Sequence, residues 1–120
     1  ARLDKKAMIS SFLQQEVGFT KEQMNRYDTM SKQHRLEMRQ SFDGMSAQRE
    51  QIFKKLASND FTDSAIQFAA GDISNQQKDF ELLMLRHLDE IRGICTPQQK
   101  PIFDAGFYKI ISKRGGREKK

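Results

Sequence analysis

One five-residue pattern occurs twice in this chain, and it fixes where two helices begin. Phe19-Thr20-Lys21-Glu22-Gln23 and Cys95-Thr96-Pro97-Gln98-Gln99 both read apolar, Thr, two residues, Gln. This is a capping box. The Thr hydroxyl accepts a backbone N–H that the first helical turn cannot satisfy, and the Gln side chain reaches back to the N–H of the Thr. Gly18, just before the first box, can supply the left-handed residue that closes a preceding helix. Pro97 falls at the first helical position, where its missing N–H costs nothing. Phe19 and Met24 are spaced as a hydrophobic staple, and a third start follows the polar break Ser58-Asn59-Asp60, with Thr62 or Asp60 as its cap.

These signals predict an all-α chain of four helices. The first runs from about Asp4 to Gln15, with Ala7, Met8, Phe12 and Leu13 as its apolar side. The second runs from Lys21 to about Ala57, with Met24, Tyr27, Ser31, His34, Met38, Phe42, Met45, Ile52 and Leu56 near one stripe. The third, from Asp63 to Ile94, has Ile66, Ala70, Ile73, Gln77, Phe80, Met84, His87, Ile91 and Ile94. Steps of three and four alternate, which is the seam of two long helices lying along each other. The fourth runs from Pro97 to about Ser112, with Ile102, Phe103, Phe107, Ile110 and Ile111 facing inward. Pro101 removes one backbone donor there and is expected to bend the first turns. The short connection between the second and third helices makes them an antiparallel hairpin. Residues 1–112 then form one domain, and 113–120 a basic disordered tail.

Charge supports the hairpin and narrows the function. The formal net charge is +5, but the last twelve residues account for all of it, and residues 1–108 carry 15 basic and 15 acidic side chains. A broad basic field of the kind that binds duplexes is therefore absent, and no specific nucleic-acid partner is expected. The arm from Lys21 to Leu56 carries +3 and the arm from Asp60 to Cys95 −4, which favours their pairing. A seam this narrow buries little in a monomer, so a homodimer is expected to complete the core. The single Cys95 excludes an intramolecular disulfide and reads as a small buried residue at a helix boundary. No apolar run reaches the roughly 18 residues of a membrane span. The chain opens at Ala1, so an upstream segment, a cleaved signal peptide or a membrane anchor, is expected to have been removed or omitted.

The residues that could carry chemistry are few. There is no Gly-rich phosphate loop, no His-Glu-x-x-His and no nucleophile elbow, so catalysis is not expected. Only two histidines are present, both on the seams. In a hairpin turning around 59–61, facing positions sum to about 120, which puts His34 and His87 at nearly one height, with Met38 and Met84 a turn away. Two imidazoles with thioethers nearby suit copper, nickel or zinc. The alternative is a pair of amphipathic seam residues, hydrogen-bonded to backbone or to a carboxylate such as Glu37 or Glu90. Met24, Met30, Met38, Met45 and Met84 either make an adaptable surface for varied partners or fill the core, and Met38 and Met84 read as core. Lys32, Arg35 and Arg39 form a basic stripe beside the seam, either a solvated face or a lining for a partner.

The paired boxes resemble the Leu-Thr-x-x-Gln motifs of the bacterial periplasmic CpxP/Spy family and its heavy-metal-resistance relatives of the ZraP and CnrX type. Phe19 and Cys95 stand in for the Leu, while Thr20, Gln23, Thr96 and Gln99 match. The resemblance covers about Phe12 to Ile111, including His87-Leu88-Asp89-Glu90-Ile91-Arg92, which looks like the metal-sensor branch. It implies a hooked helical hairpin in an intertwined homodimer, located in the periplasm or cell envelope, with a role in envelope stress, metal sensing or ATP-independent chaperoning. Of the sensor ligands, His87 alone carries over. Ile91 stands where that branch has a Met, and Ser10-Ser11-Phe12-Leu13-Gln14 where it has a His pair. Two functions are therefore expected: a metal-responsive sensor or accessory protein with a membrane-anchored signalling partner, or a metal-independent chaperone or adaptor for unfolded clients.

Overall fold

A computed structural model describes residues 5–112. The expected start at Asp4 and the tail 113–120 lie outside the described residues, as does the side chain of Ile111. The chain is all-helical: α1 (Lys5–Ser11) runs into a π-helical segment (Phe12–Val17), followed by α2 (Lys21–Ser58), α3 (Asp63–Arg92) and α4 (Lys100–Ser112). It divides into two compact units, Ala1–Ser31 with Asp89–Lys120, and Lys32–Leu88.

Both boxes form, and their bonds fix the helix starts. The Thr20 N–H donates to Gln23 Oε1 at 2.8 Å and the Gln23 N–H to Thr20 Oγ1 at 3.1 Å. Around Thr96 and Gln99 the same two bonds measure 2.9 and 3.2 Å. The last helix nevertheless begins at Lys100, three residues later than the sequence suggests. Thr96 C=O accepts from the Lys100 N–H, but Pro101 has no N–H for the next rung, so the regular ladder starts beyond it. Thr62, not Asp60, caps α3 by accepting the Ala65 N–H at 3.2 Å.

The first unit holds most of the core. Phe12, Leu13, Val17, Phe19, Met24 and Tyr27 are buried with Ile91, Ile94, Cys95, Phe103 and Phe107. Burying side chains of this kind contributes about 1.5–3 kcal/mol each. The π-helical segment changes which residues take part. An α-helical step of four from Phe12 falls on Glu16, whereas a π turn, bonded five residues on, sets Val17 on the side of Phe12. Gly18, at φ 87°, ends the segment, and Leu13 C=O accepts both the Gly18 and Phe19 N–H groups. α4 packs on α1 and on the π-helical segment. There Phe12 meets Phe103 and Phe107 at centroid distances of 6.3 and 6.1 Å. Ala7 and Ile102, expected inward, are exposed instead. Arg92 joins α3 to α4 through a two-point ion pair with Asp104, at 2.7 and 3.0 Å.

The second unit is a two-helix hairpin. Its antiparallel register is set by His34 opposite His87 and by Gln76, whose amide donates to Met45 C=O and to Gln48 Oε1. Among the described residues of this unit only Leu56, Ala69 and Gln76 are buried. In α3 the buried positions are Ala69 and Gln76, each one residue before the Ala70 and Gln77 that the periodicity predicts. Phe42 and Ile66, also expected on the seam, are exposed. The stripe of apolar residues is wider than the seam that two helices close, so its edges stay outside.

The turn between these helices is a Schellman closure: the Phe61 N–H donates to Leu56 C=O and the Asp60 N–H to Ala57 C=O. Its left-handed position, usually Gly, is Asp60 at φ 57°, and Phe61 follows at φ 52°. Asp60→Gly should therefore raise the unfolding free energy by about 0.5–1 kcal/mol, because Gly occupies this conformation without Cβ strain. A thermal melt of the variant checks this, and a lowered Tm would contradict it.

Candidate functional site

The hairpin register brings His34 and His87 together across the seam. Their ring centroids are 3.6 Å apart and their planes differ by 6°, a face-to-face stack. Each arrives there for a local reason, as one member of a three-four repeat on its own helix. Both rings are partly buried. Burial, and then the neighbouring His34 ring, push the His87 pKa down to about 4, against the opposing pull of Glu37. The His87 imidazole is thus neutral near pH 7.

The stack limits what the pair can do with a metal. Imidazole lone pairs lie in the ring plane, so two parallel rings aim theirs side by side and not at one point. Shared ligation at the usual 2.0–2.1 Å requires one ring to swing out of the stack. Met38 lies one turn from His34 and Met84 one turn from His87, both towards the closed end of the hairpin and both partly buried. Among the described residues no group of three or more His, Cys, Asp or Glu side chains is gathered that could hold a metal ion.

The depressed pKa gives a pH dependence with a definite sign. Below the unfolded value of 6.5 the unfolded chain takes up a proton that native His87 refuses until about pH 4. The contribution is fully present above pH 6.5 and is lost as pH falls towards 4. Allowing for solvent screening at a partly exposed site, it amounts to about 1–2 kcal/mol. Urea unfolding of the native chain and of His87→Gln between those pH values should show a shallower pH dependence in the variant. Parallel curves would refute the assignment.

Lys32, Arg35 and Arg39 are all exposed, and among the described residues no hydrogen bond or ion pair occupies them. Arg39 borders an open groove with Met38, Phe42, Asp43 and Phe80. This juxtaposition of cation and aromatic depends on Phe42 pointing outward. Its only sequence signal was an apolar stripe broader than one seam.

Thr20, Gln23, Thr96 and Gln99 do more than start helices. Gln23 Nε2 donates to Gln99 Oε1 at 2.8 Å, and Gln99 Nε2 donates back to Gln23 Oε1 at 3.3 Å. Each amide also donates to a backbone carbonyl two residues before the other box's Thr: Gln23 to Ile94 and Gln99 to Gly18, both at 3.0 Å. The two boxes thus clasp one another with near two-fold symmetry. Cys95 beside them is buried and free, and burial pushes its thiol pKa up, which disfavours a nucleophilic thiolate.

Comparison with protein-family models, with curated proteins and with solved structures gives no match for this chain.

Proposed function

We propose that this chain is a non-enzymatic, ATP-independent chaperone or adaptor of the cell envelope that holds partly unfolded clients against the hairpin of α2 and α3. The observation that carries the reading is the hairpin's surface. Leu36, Phe42, Phe53, Phe61, Ile66, Phe68 and Leu85 are large apolar side chains left exposed within one small helical unit, beside unoccupied Lys32, Arg35 and Arg39. A monomeric soluble surface rarely exposes so much apolar area without a partner. Apolar anchors with adjacent cations suit clients that are themselves partly unfolded, and the partly buried Met30, Met38, Met45 and Met84 allow local repacking. The same exposure supports a homodimer. The envelope location rests on the resemblance of the two boxes to the periplasmic family.

The test is suppression of aggregation of a reduced, unfolding client by substoichiometric protein without ATP. Suppression that falls severalfold in Phe42→Ser and in Arg35→Glu with Arg39→Glu is the expected result. Undiminished suppression in both, or none by the native chain, would remove the proposal.

A second reading, a metal-responsive sensor or accessory protein, is favoured by one observation, the meeting of His34 and His87 at a single height. Zinc, copper or nickel would then be held after one ring leaves the stack, with Met38 or Met84 as further ligands for a soft ion. Binding to the native state alone raises the Tm. An increase with one of these metals that is lost in His34→Gln and His87→Gln supports this reading, and an unchanged Tm with all three rejects it.

A further inference from the structure

The closed end of the hairpin exposes Phe53, Phe61, Ile66 and Phe68, with Phe68 the most exposed of the four at 73%. We propose that this end inserts into the interfacial layer of a lipid bilayer.

The argument begins with direction. Residues two apart on an α-helix point about 160° apart, so Ile66 and Phe68 look to opposite sides of α3. Phe68 lines a groove with Leu56, Ala65 and Ala69, and Phe53 and Ile66 are not part of it. Phe61 occupies the turn itself. A flat protein surface can cover one side of so narrow an end. Four apolar side chains distributed around it are covered together by a medium that closes on them from all sides, and the acyl boundary of a bilayer is such a medium.

Depth agrees with direction. Phe53 lies five residues before the end of α2 and Phe68 five after the start of α3. At 1.5 Å per residue each is about 7.5 Å from the helix end, inside the roughly 5–10 Å by which interfacial elements bury their apolar side. The end carries no net positive charge: Lys54 is paired with Glu50 at 3.3 Å, which leaves Lys55 against Asp60 and Asp63. The lysine stems can lie along apolar surface while their heads remain at the headgroups. The contact therefore requires no anionic lipid. No helix among the described residues is long and apolar enough to cross a membrane, so the contact is peripheral.

Phe61 adds an independent sign. A bulky aromatic residue in the left-handed region at φ 52° is unfavourable, and here its side chain remains 55% exposed. The strain gains little burial within the chain, and insertion would supply it. This inference does not depend on client binding.

The chain contains no Trp, so Phe61→Trp introduces a single indole reporter. With large unilamellar phosphatidylcholine vesicles, the full chain should co-float and the indole emission should shift to the blue. Phe61→Ser with Phe68→Ser should lower the partition coefficient roughly tenfold or more. Leu36→Ser, an exposed leucine far from the turn, should change it by less than about twofold. If the double variant loses helicity, Phe68→Ser alone serves, since that side chain is mostly in water. Failure to float, flotation unchanged by the serine variants, or binding that needs phosphatidylglycerol and vanishes in salt would each overturn the proposal. So would a native dimer that the serine variants split while vesicles leave the indole emission unshifted, because a second copy would then be what covers this end.

Discussion

Gln99→Leu should lower the unfolding free energy by about 2–4 kcal/mol, far more than an exposed helix-capping residue ordinarily would. Its side chain makes four bonds: it accepts from the Thr96 N–H and from Gln23, and donates to Gly18 C=O and to Gln23 Oε1. A typical net contribution is about 0.5–1.5 kcal/mol per bond, and water recovers part of it at a partly exposed site. Gln23→Leu should cost a similar amount, because its bonds mirror those of Gln99. The distinctive outcome is coupling. In a double-mutant cycle measured by urea unfolding, the second Leu should cost about 1 kcal/mol or more less than the first, since the shared amide pair is already gone. Strict additivity would mean that the boxes act only as separate caps.

Gly106→Ala should destabilise the chain by about 1–3 kcal/mol, even though Ala is the better helix former by about 1 kcal/mol. A Cβ built at this position of α4 would run into the Phe12 ring, at Cε1 and Cζ. Phe12 has little freedom to retreat. It is 5% exposed and held between Phe103 and Phe107, which themselves stack at 4.8 Å. Phe12→Leu alone also costs stability by leaving a void, yet combined with Gly106→Ala it should recover part of the loss, because the smaller side chain vacates the space that the methyl needs. Calorimetric melts of the two single variants and the double variant read this directly. A Gly106→Ala variant that melts higher than the native chain would show that the helix-propensity gain prevails and that the contact yields easily.

The legibility of this molecule in its sequence varies with the range of the interaction. Thr20 with Gln23 and Thr96 with Gln99 were readable because a capping box closes within four residues. The height of His34 against His87 was readable because helix rise is constant and Ser58-Asn59-Asp60 marks the turn. Phe42, Ile66, Ala70 and Gln77 were misassigned for a different reason: periodicity locates the centre of an apolar stripe, whereas the partner helix decides which edge is closed. Ile102 fell outside in the same way. Val17 lies beyond Gln15, where the sequence pattern ends the first helix, and the π turn carries the helix on to it. The fourth helix was placed early because Pro97 is a good first residue, while the missing donor of Pro101 delays the ladder to Lys100.

By itself the sequence determined the all-helical class, the capping boxes, the antiparallel hairpin and its register. These follow from local hydrogen bonding and from fixed helical geometry, which a short segment carries with it. The tertiary structure alone decided that the two glutamines clasp each other, that Gly106 must stay bare beneath Phe12, and that the imidazoles of His34 and His87 meet face to face. It also decided that Phe42 and the phenylalanines near the hairpin turn are left outside the seam. Each of these outcomes depends on the direction of a side chain relative to a segment distant in sequence. That direction is set when apolar surfaces compete for a limited seam, and the pattern of residue types along one helix does not specify which of them is left outside.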